Sequence, residues 1–76
     1  MDQETELAHL HKAEADITSA KARISRQEEI VARLKNHGQD ASIAASLLLT
    51  MRDTLKVMEE HRELILEQLA AMKCPM

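Results

Sequence analysis

The sequence predicts an all-α fold: an antiparallel hairpin of two coiled-coil-like helices that dimerises into a four-helix bundle. Three observations lead to this prediction. Strong helix formers dominate the 76 residues, and the single proline lies at position 75. Apolar residues recur at steps of three and four through both halves of the chain. The single glycine, Gly38, lies at the midpoint.

The first helix is predicted over about residues 4–37. Its apolar and small residues step by three and four from Leu10 to Leu34, which is the spacing of a coiled-coil seam. Gln27 is the polar member of this series, and antiparallel pairing places it opposite Met51. Two interpretations of Gln27 remain open at this stage: a buried polar group that fixes the register, or a side chain at the seam edge that reaches water.

The turn is predicted over residues 38–40. Glycine adopts the left-handed conformation that commonly ends a helix, and Asp40 is expected to cap the N-terminus of the next helix. A link this short makes the two helices antiparallel neighbours. The alternative is one continuous helix through Gly38, because an interior glycine costs only about 1 kcal/mol.

The second helix is predicted over about residues 41–73, and the whole chain, 1–76, forms a single domain. Its seam series runs from Ala41 to Met72 and is interrupted only by Arg62. The long stem of Arg62 can lie along the seam while its guanidinium reaches the edge, where we expect a pair with Glu14.

The second helix carries more apolar residues than one neighbouring helix can cover. Such a surplus indicates an association surface, so we expect a homodimer, with a heteromeric partner helix or a higher oligomer as alternatives. The first helix has a smaller surplus at Leu7 and Ile30. The surplus residues of the second helix are Ile43, Leu47, Leu49, Val57, Leu64 and Leu66. The predicted oligomer or partner interface comprises Leu47, Met51, Leu55, Met58, Ile65 and Leu69, with Gln27 and Arg62 as polar seam residues.

Composition argues against several classes of function. The net charge is −3 and aromatic residues are absent, so neither a basic footprint nor a stacking platform for nucleic acid is expected. The longest apolar stretch, residues 43–51, is too short for a membrane helix. The acidic start and the lone Cys74, expected as a spare thiol on the tail, favour a cytoplasmic protein. Without a nucleophile motif or a phosphate loop, we expect neither an enzyme nor a cofactor.

Metal binding is the alternative function. Glu6 and His9 have the Glu-x-x-His spacing of metal-binding helical bundles, and the antiparallel pairing brings Glu67 near His9. The second helix lacks this motif, because Met58 lies three positions before His61. A metal-binding bundle that uses Glu6, His9 and Glu67 is therefore the second hypothesis.

The stretch Ala22–Leu69 resembles small helical-hairpin proteins of rhizobia and related alphaproteobacteria, to which no activity is assigned. Those proteins pair an I-x-x-Q-x-x-x-I/V-x-x-L helix with a G-x-D turn, an A-x-x-L-L segment and an L-x-x-M-x-x-H-R-x-x-I-L segment. The resemblance implies a bacterial origin and a role for His61 and Arg62 beyond a solvated surface. The matching residues are Ile24, Gln27, Val31, Leu34, Gly38, Asp40, Ala45, Leu48, Leu49, Leu55, Met58, His61, Arg62, Ile65 and Leu66.

Overall fold

The computed structural model describes residues 2–73, which form two long α-helices joined by a short turn. Helix α1 spans Gln3–Asn36 and helix α2 spans Ser42–Lys73. They pack side by side in a rod 61 Å long, which confirms the predicted all-α hairpin. The helix bounds lie within one residue of those predicted, and the alternative of one continuous helix is wrong. Cys74 lies outside the described residues.

The turn depends on the backbone conformation of Gly38. Its φ is +66°, in the left-handed region that β-carbon-bearing residues rarely adopt. The backbone N–H groups of Gly38 and Gln39 donate to the carbonyls of Lys35 and Leu34 at 3.1 and 2.8 Å. These bonds satisfy carbonyls that the end of a helix would otherwise leave unpaired.

Asp40 organises the start of α2. Its Oδ1 atom accepts hydrogen bonds from the backbone N–H of Ser42 at 2.9 Å and from the Ser42 hydroxyl at 2.5 Å. The carbonyl of Ala41 accepts the first helical bond, from Ala45, so Asp40 lies one residue before the N-cap position. The carboxylate nevertheless satisfies an orphan N–H group, as the sequence predicts. The Ser42 hydroxyl, followed by its backbone N–H, holds the pKa of Asp40 below its ordinary value.

The core is a single seam along the hairpin. Near the turn, Ile24, Val31 and Leu48 form a buried cluster, against which partly buried Met51 and Leu55 pack. Farther from the turn, buried apolar side chains continue the seam: Ile17, Ile65 and Leu69. Because the side chains on the seam come from helices running in opposite directions, each step forward along α1 corresponds to one step back along α2.

The seam has a definite register. Val31 and Leu48 belong to the same buried cluster, the side-chain amide of Gln27 donates to the carbonyl of Ala44, and an ion pair joins Glu28 to Arg52 along one edge of the hairpin.

We predict that Gly38→Ala destabilises the hairpin by about 1 kcal/mol, because an alanine at this φ is strained. A β-carbon at position 38 meets no atom within 4 Å, so backbone strain is the whole effect. Urea unfolding followed by far-UV circular dichroism measures this change. Gln39→Ala, in the same turn, serves as the control and is expected to stay close to wild type. A Gly38→Ala variant as stable as wild type would contradict the prediction.

We also predict that Asp40 makes hairpin stability depend on pH. Its folded-state pKa is lowered, so its contribution is present above the unfolded pKa of about 4 and is lost as the pH falls through the folded value. Asp40→Asn retains an oxygen acceptor that does not titrate. The melting-temperature advantage of wild type over Asp40→Asn should therefore shrink between pH 6 and pH 2. A difference that stays constant across this range would refute the assignment.

Candidate interaction surface

Large apolar side chains are exposed along α2. Ile43 is 88% exposed, and Leu49 and Val57 are each 62% exposed. The surplus predicted from the sequence is confirmed for all six residues of α2 and for Leu7, whereas Ile30 is partly buried. The exposed large apolar residues of the described chain are Leu7, Ile43, Leu47, Leu49, Val57, Leu64 and Leu66.

Most of these side chains belong to one ordered row. Starting at Ile43, successive members follow at alternating steps of four and three residues, which keeps them on one side of a helix. This is the spacing of a coiled-coil seam, and the row lies on a different side of α2 from the seam that packs against α1. We call this row the open face; it comprises Ile43, Leu47, Thr50, Thr54, Val57, His61 and Leu64, all of them exposed.

A shallow groove runs beside the open face. It has a volume of about 360 Å³ and lies where the small side chains Ser19 and Ala20 of α1 leave space next to α2. A second groove, of about 220 Å³, continues it past Ala13 towards His61. We call this the grooved side of the hairpin. Residues that line the first groove are Asp16, Ser19, Ala20, Arg23, Thr50, Met51, Thr54 and Met58.

The six residues predicted as the oligomer or partner interface occupy different environments. Ile65 and Leu69 are only 4% and 5% exposed, because they pack against α1 in the hairpin seam. Met51 and Leu55 are partly buried against the core cluster. The two that a partner could reach most directly are Leu47, on the open face, and Met58, which lines both grooves.

The prediction missed the polar members of the open face, Thr50, Thr54 and His61. Their signal in the sequence is the regular spacing that they share with Ile43 and Val57. Polar residues at that spacing look the same as an ordinary solvated helix surface, so only the exposure of their apolar neighbours identifies the row.

Gln27 is buried in the seam, with 9% of its surface exposed. Its side-chain amide donates a hydrogen bond of 3.0 Å to the backbone carbonyl of Ala44 on α2. Of the two interpretations of this residue, the geometry therefore favours a buried polar group that ties the helices together at one position. The small Ala44 side chain lets the amide approach the backbone closely.

Arg62 lies along the seam with its side chain 34% exposed. One terminal nitrogen donates to Oε1 of Glu63 at 3.2 Å, so the partner is the next residue on α2 rather than Glu14. The Nε atom is buried and has no hydrogen-bond partner among residues 2–73. Arg62 is therefore held mainly by the packing of its stem.

The structure brings together only two of the three residues that the metal-binding hypothesis needs. The carboxylate of Glu6 is buried, and its Oε1 atom lies 3.8 Å from Nδ1 of His9. In the part of the chain that the structure describes, no group of three or more histidine, cysteine, aspartate or glutamate side chains could hold a metal ion. Glu67 therefore does not complete a site with this pair, whereas protein metal sites ordinarily need at least three ligands.

Neither described helix has a segment long and apolar enough to cross a membrane. Comparison of the chain with protein-family models, with curated proteins and with solved structures finds no match. A functional proposal must therefore come from the surface of the hairpin itself.

We predict that Gln27→Glu destabilises the hairpin at neutral pH by about 1–3 kcal/mol, because a carboxylate cannot donate to the Ala44 carbonyl and would be buried unpaired. Burial raises the folded-state pKa of the new carboxyl above its unfolded value, so stability is retained at low pH and lost as the pH rises. Urea unfolding at pH 4 and pH 7 tests both statements. Gln68→Glu, at an exposed position of α2, is the matched control; if both variants behave alike, the buried hydrogen bond is unimportant.

Proposed function

We propose that the protein is a non-enzymatic interaction module that self-associates as a homodimer through the open face of α2 and acts in protein–protein assembly or regulation. The observation that carries this proposal is the ordered row of exposed apolar side chains beside a groove. A row with coiled-coil spacing is suited to another helix, because a facing helix supplies side chains at the same interval.

Energetics support self-association. Each large aliphatic side chain that becomes fully buried contributes about 1.5–3 kcal/mol relative to exposure. Ile43, Leu47, Val57 and Leu64 are all at least half exposed in the hairpin. In a homodimer each copy covers this set once, and a pair of two-helix hairpins closes into a four-helix bundle, a stable arrangement for helices of this length.

The shape of the molecule supports a binding role rather than catalysis. General acid–base chemistry relies on a pocket that removes water from the reacting groups. Two helices side by side offer long, open grooves instead. We also propose a cytoplasmic location, which is supported by the single cysteine, because a chain with one thiol cannot form an internal disulfide.

Light scattering coupled to size-exclusion chromatography tests the proposal. We expect twice the chain mass of 8.6 kDa across a hundredfold range of concentration. Detection by refractive index is required, since the chain has no tryptophan or tyrosine. A folded monomer at every concentration would refute self-association.

We further predict that Val57→Lys weakens the dimer at least about tenfold, which corresponds to about 1.4 kcal/mol. Leu49→Lys is a closely matched control: Leu49 has the same 62% exposure on the same helix but lies outside the open face. We expect Leu49→Lys to leave the dissociation constant close to wild type. Sedimentation equilibrium measures both constants, and an equal loss in the two variants would rule out the open face as the specific interface.

A further inference from the structure

Two rows of charge run along the exposed surface of the hairpin, one on each helix. On α1, basic side chains follow a seven-residue repeat in which one position is not basic. That position is Ser19, which lines the groove. On α2, acidic side chains recur every seven residues. The first two of them lie four residues before Val57 and Leu64, which are apolar members of the open face. The basic row comprises Lys12, Arg26 and Arg33; the acidic row comprises Asp53, Glu60 and Glu67.

These rows are almost unused within one hairpin. Lys12 makes a loose, exposed pair with Asp16 at 3.6 Å. The other five residues of the two rows take part in none of the ion pairs found among residues 2–73. The segregation of charge is therefore not accounted for by contacts between α1 and α2.

A second copy can pack on the grooved side with two different symmetries. If the two-fold axis is perpendicular to the rod, α2 contacts α2 of the partner and α1 contacts α1 of the partner. Identical antiparallel helices then bring each charge row against its own copy, and like charges in contact oppose association. If the axis runs along the rod, α2 contacts the partner's α1, and the acidic row meets the basic row.

We infer that the hairpin dimerises about an axis along the rod, with both turns at the same end and α2 against α1 of the second copy. This inference rests on the proposed self-association and adds the arrangement of the subunits. The occupant of the open face is therefore the basic side of a second hairpin.

The register of this dimer follows from symmetry. Rotation about an axis along the rod does not change the position of any residue along that axis. The offset along the rod between two residues of one hairpin is therefore the same when the second residue belongs to the partner subunit. Within the hairpin, Glu28 of α1 and Arg52 of α2 lie close enough along the rod to form an ion pair. Counted from that pair, Asp53 and Arg26 of the partner subunit have the same offset along the rod to within one residue, and so do Glu67 and Lys12 of the partner subunit. Two opposite-charge pairs therefore form on each of two equivalent contacts.

The apolar members of the open face are covered in the same contact. Lysine and arginine have long aliphatic stems that cover apolar surface while the charged ends reach the edge. Stems of the basic row would lie over Leu47, Val57 and Leu64, and their charged ends would meet the acidic row. The small Ser19 of the partner subunit leaves room near Val57.

The available area is sufficient for a stable dimer. The rod measures 61 Å by 15 Å between Cα extremes, so one long side projects about 900 Å², and stable interfaces bury about 800 Å² per partner.

Charge exchange tests the contact between α2 and α1. Arg26→Glu should weaken the dimer at least about tenfold by facing Asp53 of the partner subunit, and adding Asp53→Arg should restore most of the affinity. Lys21→Glu makes the same change of charge outside the basic row and should have little effect. In the perpendicular arrangement, Arg26→Glu would instead relieve repulsion between two basic rows and tighten the dimer, which would overturn the inference.

The distance between the two turns tests the arrangement directly. A Gln39→Cys, Cys74→Ser variant carries one nitroxide label on each exposed turn, and pulsed electron spin resonance measures their separation. We expect about 15–30 Å, because neighbouring helices lie about 8–10 Å apart and the labels add their own length. A dimer with a separation near the 61 Å rod length would overturn the arrangement while leaving self-association intact. A monomer by light scattering would refute both.

Discussion

The seam between α1 and α2 is the interaction on which the rest of the structure depends. A helix can cover only one stripe of its neighbour, and the turn at Gly38 and Asp40 decides which stripe that is. Once Ile24, Val31 and Leu48 pack together in the seam, every other residue of both helices is assigned to the seam, to an edge or to the outside. The open face therefore depends on the turn, because it is the apolar surface of α2 that α1 does not cover.

Much of this arrangement could be predicted from the sequence, because it depends on local rules. A lone glycine between two periodic segments identifies the turn, and the excess of apolar residues in α2 identifies the exposed ones. The details that could not be predicted depend on tertiary distances. Gln27 donates to a backbone carbonyl, and a pattern of side chains does not reveal such an acceptor. Arg62 pairs with Glu63 rather than with Glu14 because of the direction in which its side chain extends. The seam spacing of the sequence already includes Ile65 and Leu69, and their burial confirms that part of the prediction.

The polar residues of the seam have different consequences for specificity. Gln27 forms a hydrogen bond with the carbonyl of Ala44, so a shift of register by one turn would break this bond, and the small Ala44 side chain would no longer make room for the amide. Arg62 contributes no such constraint, because its ion pair lies within its own helix. The register of the hairpin is thus set near the turn, by Gly38, Asp40 and Gln27, whereas the distal half is held by apolar packing around Ile17 and Ile65.

Charge distribution bears on how two hairpins would be arranged in the proposed dimer. A net charge of −3 conceals a basic row on α1 and an acidic row on α2. Exposed ion pairs contribute little to the stability of a monomer, and Arg26 and Asp53 take part in none of those found among residues 2–73. In a dimer with its axis along the rod, symmetry repeats each favourable contact, whereas the perpendicular arrangement repeats each unfavourable one. The same two rows therefore favour one dimer and oppose the other, which is how electrostatics selects an orientation when apolar surface alone would permit both.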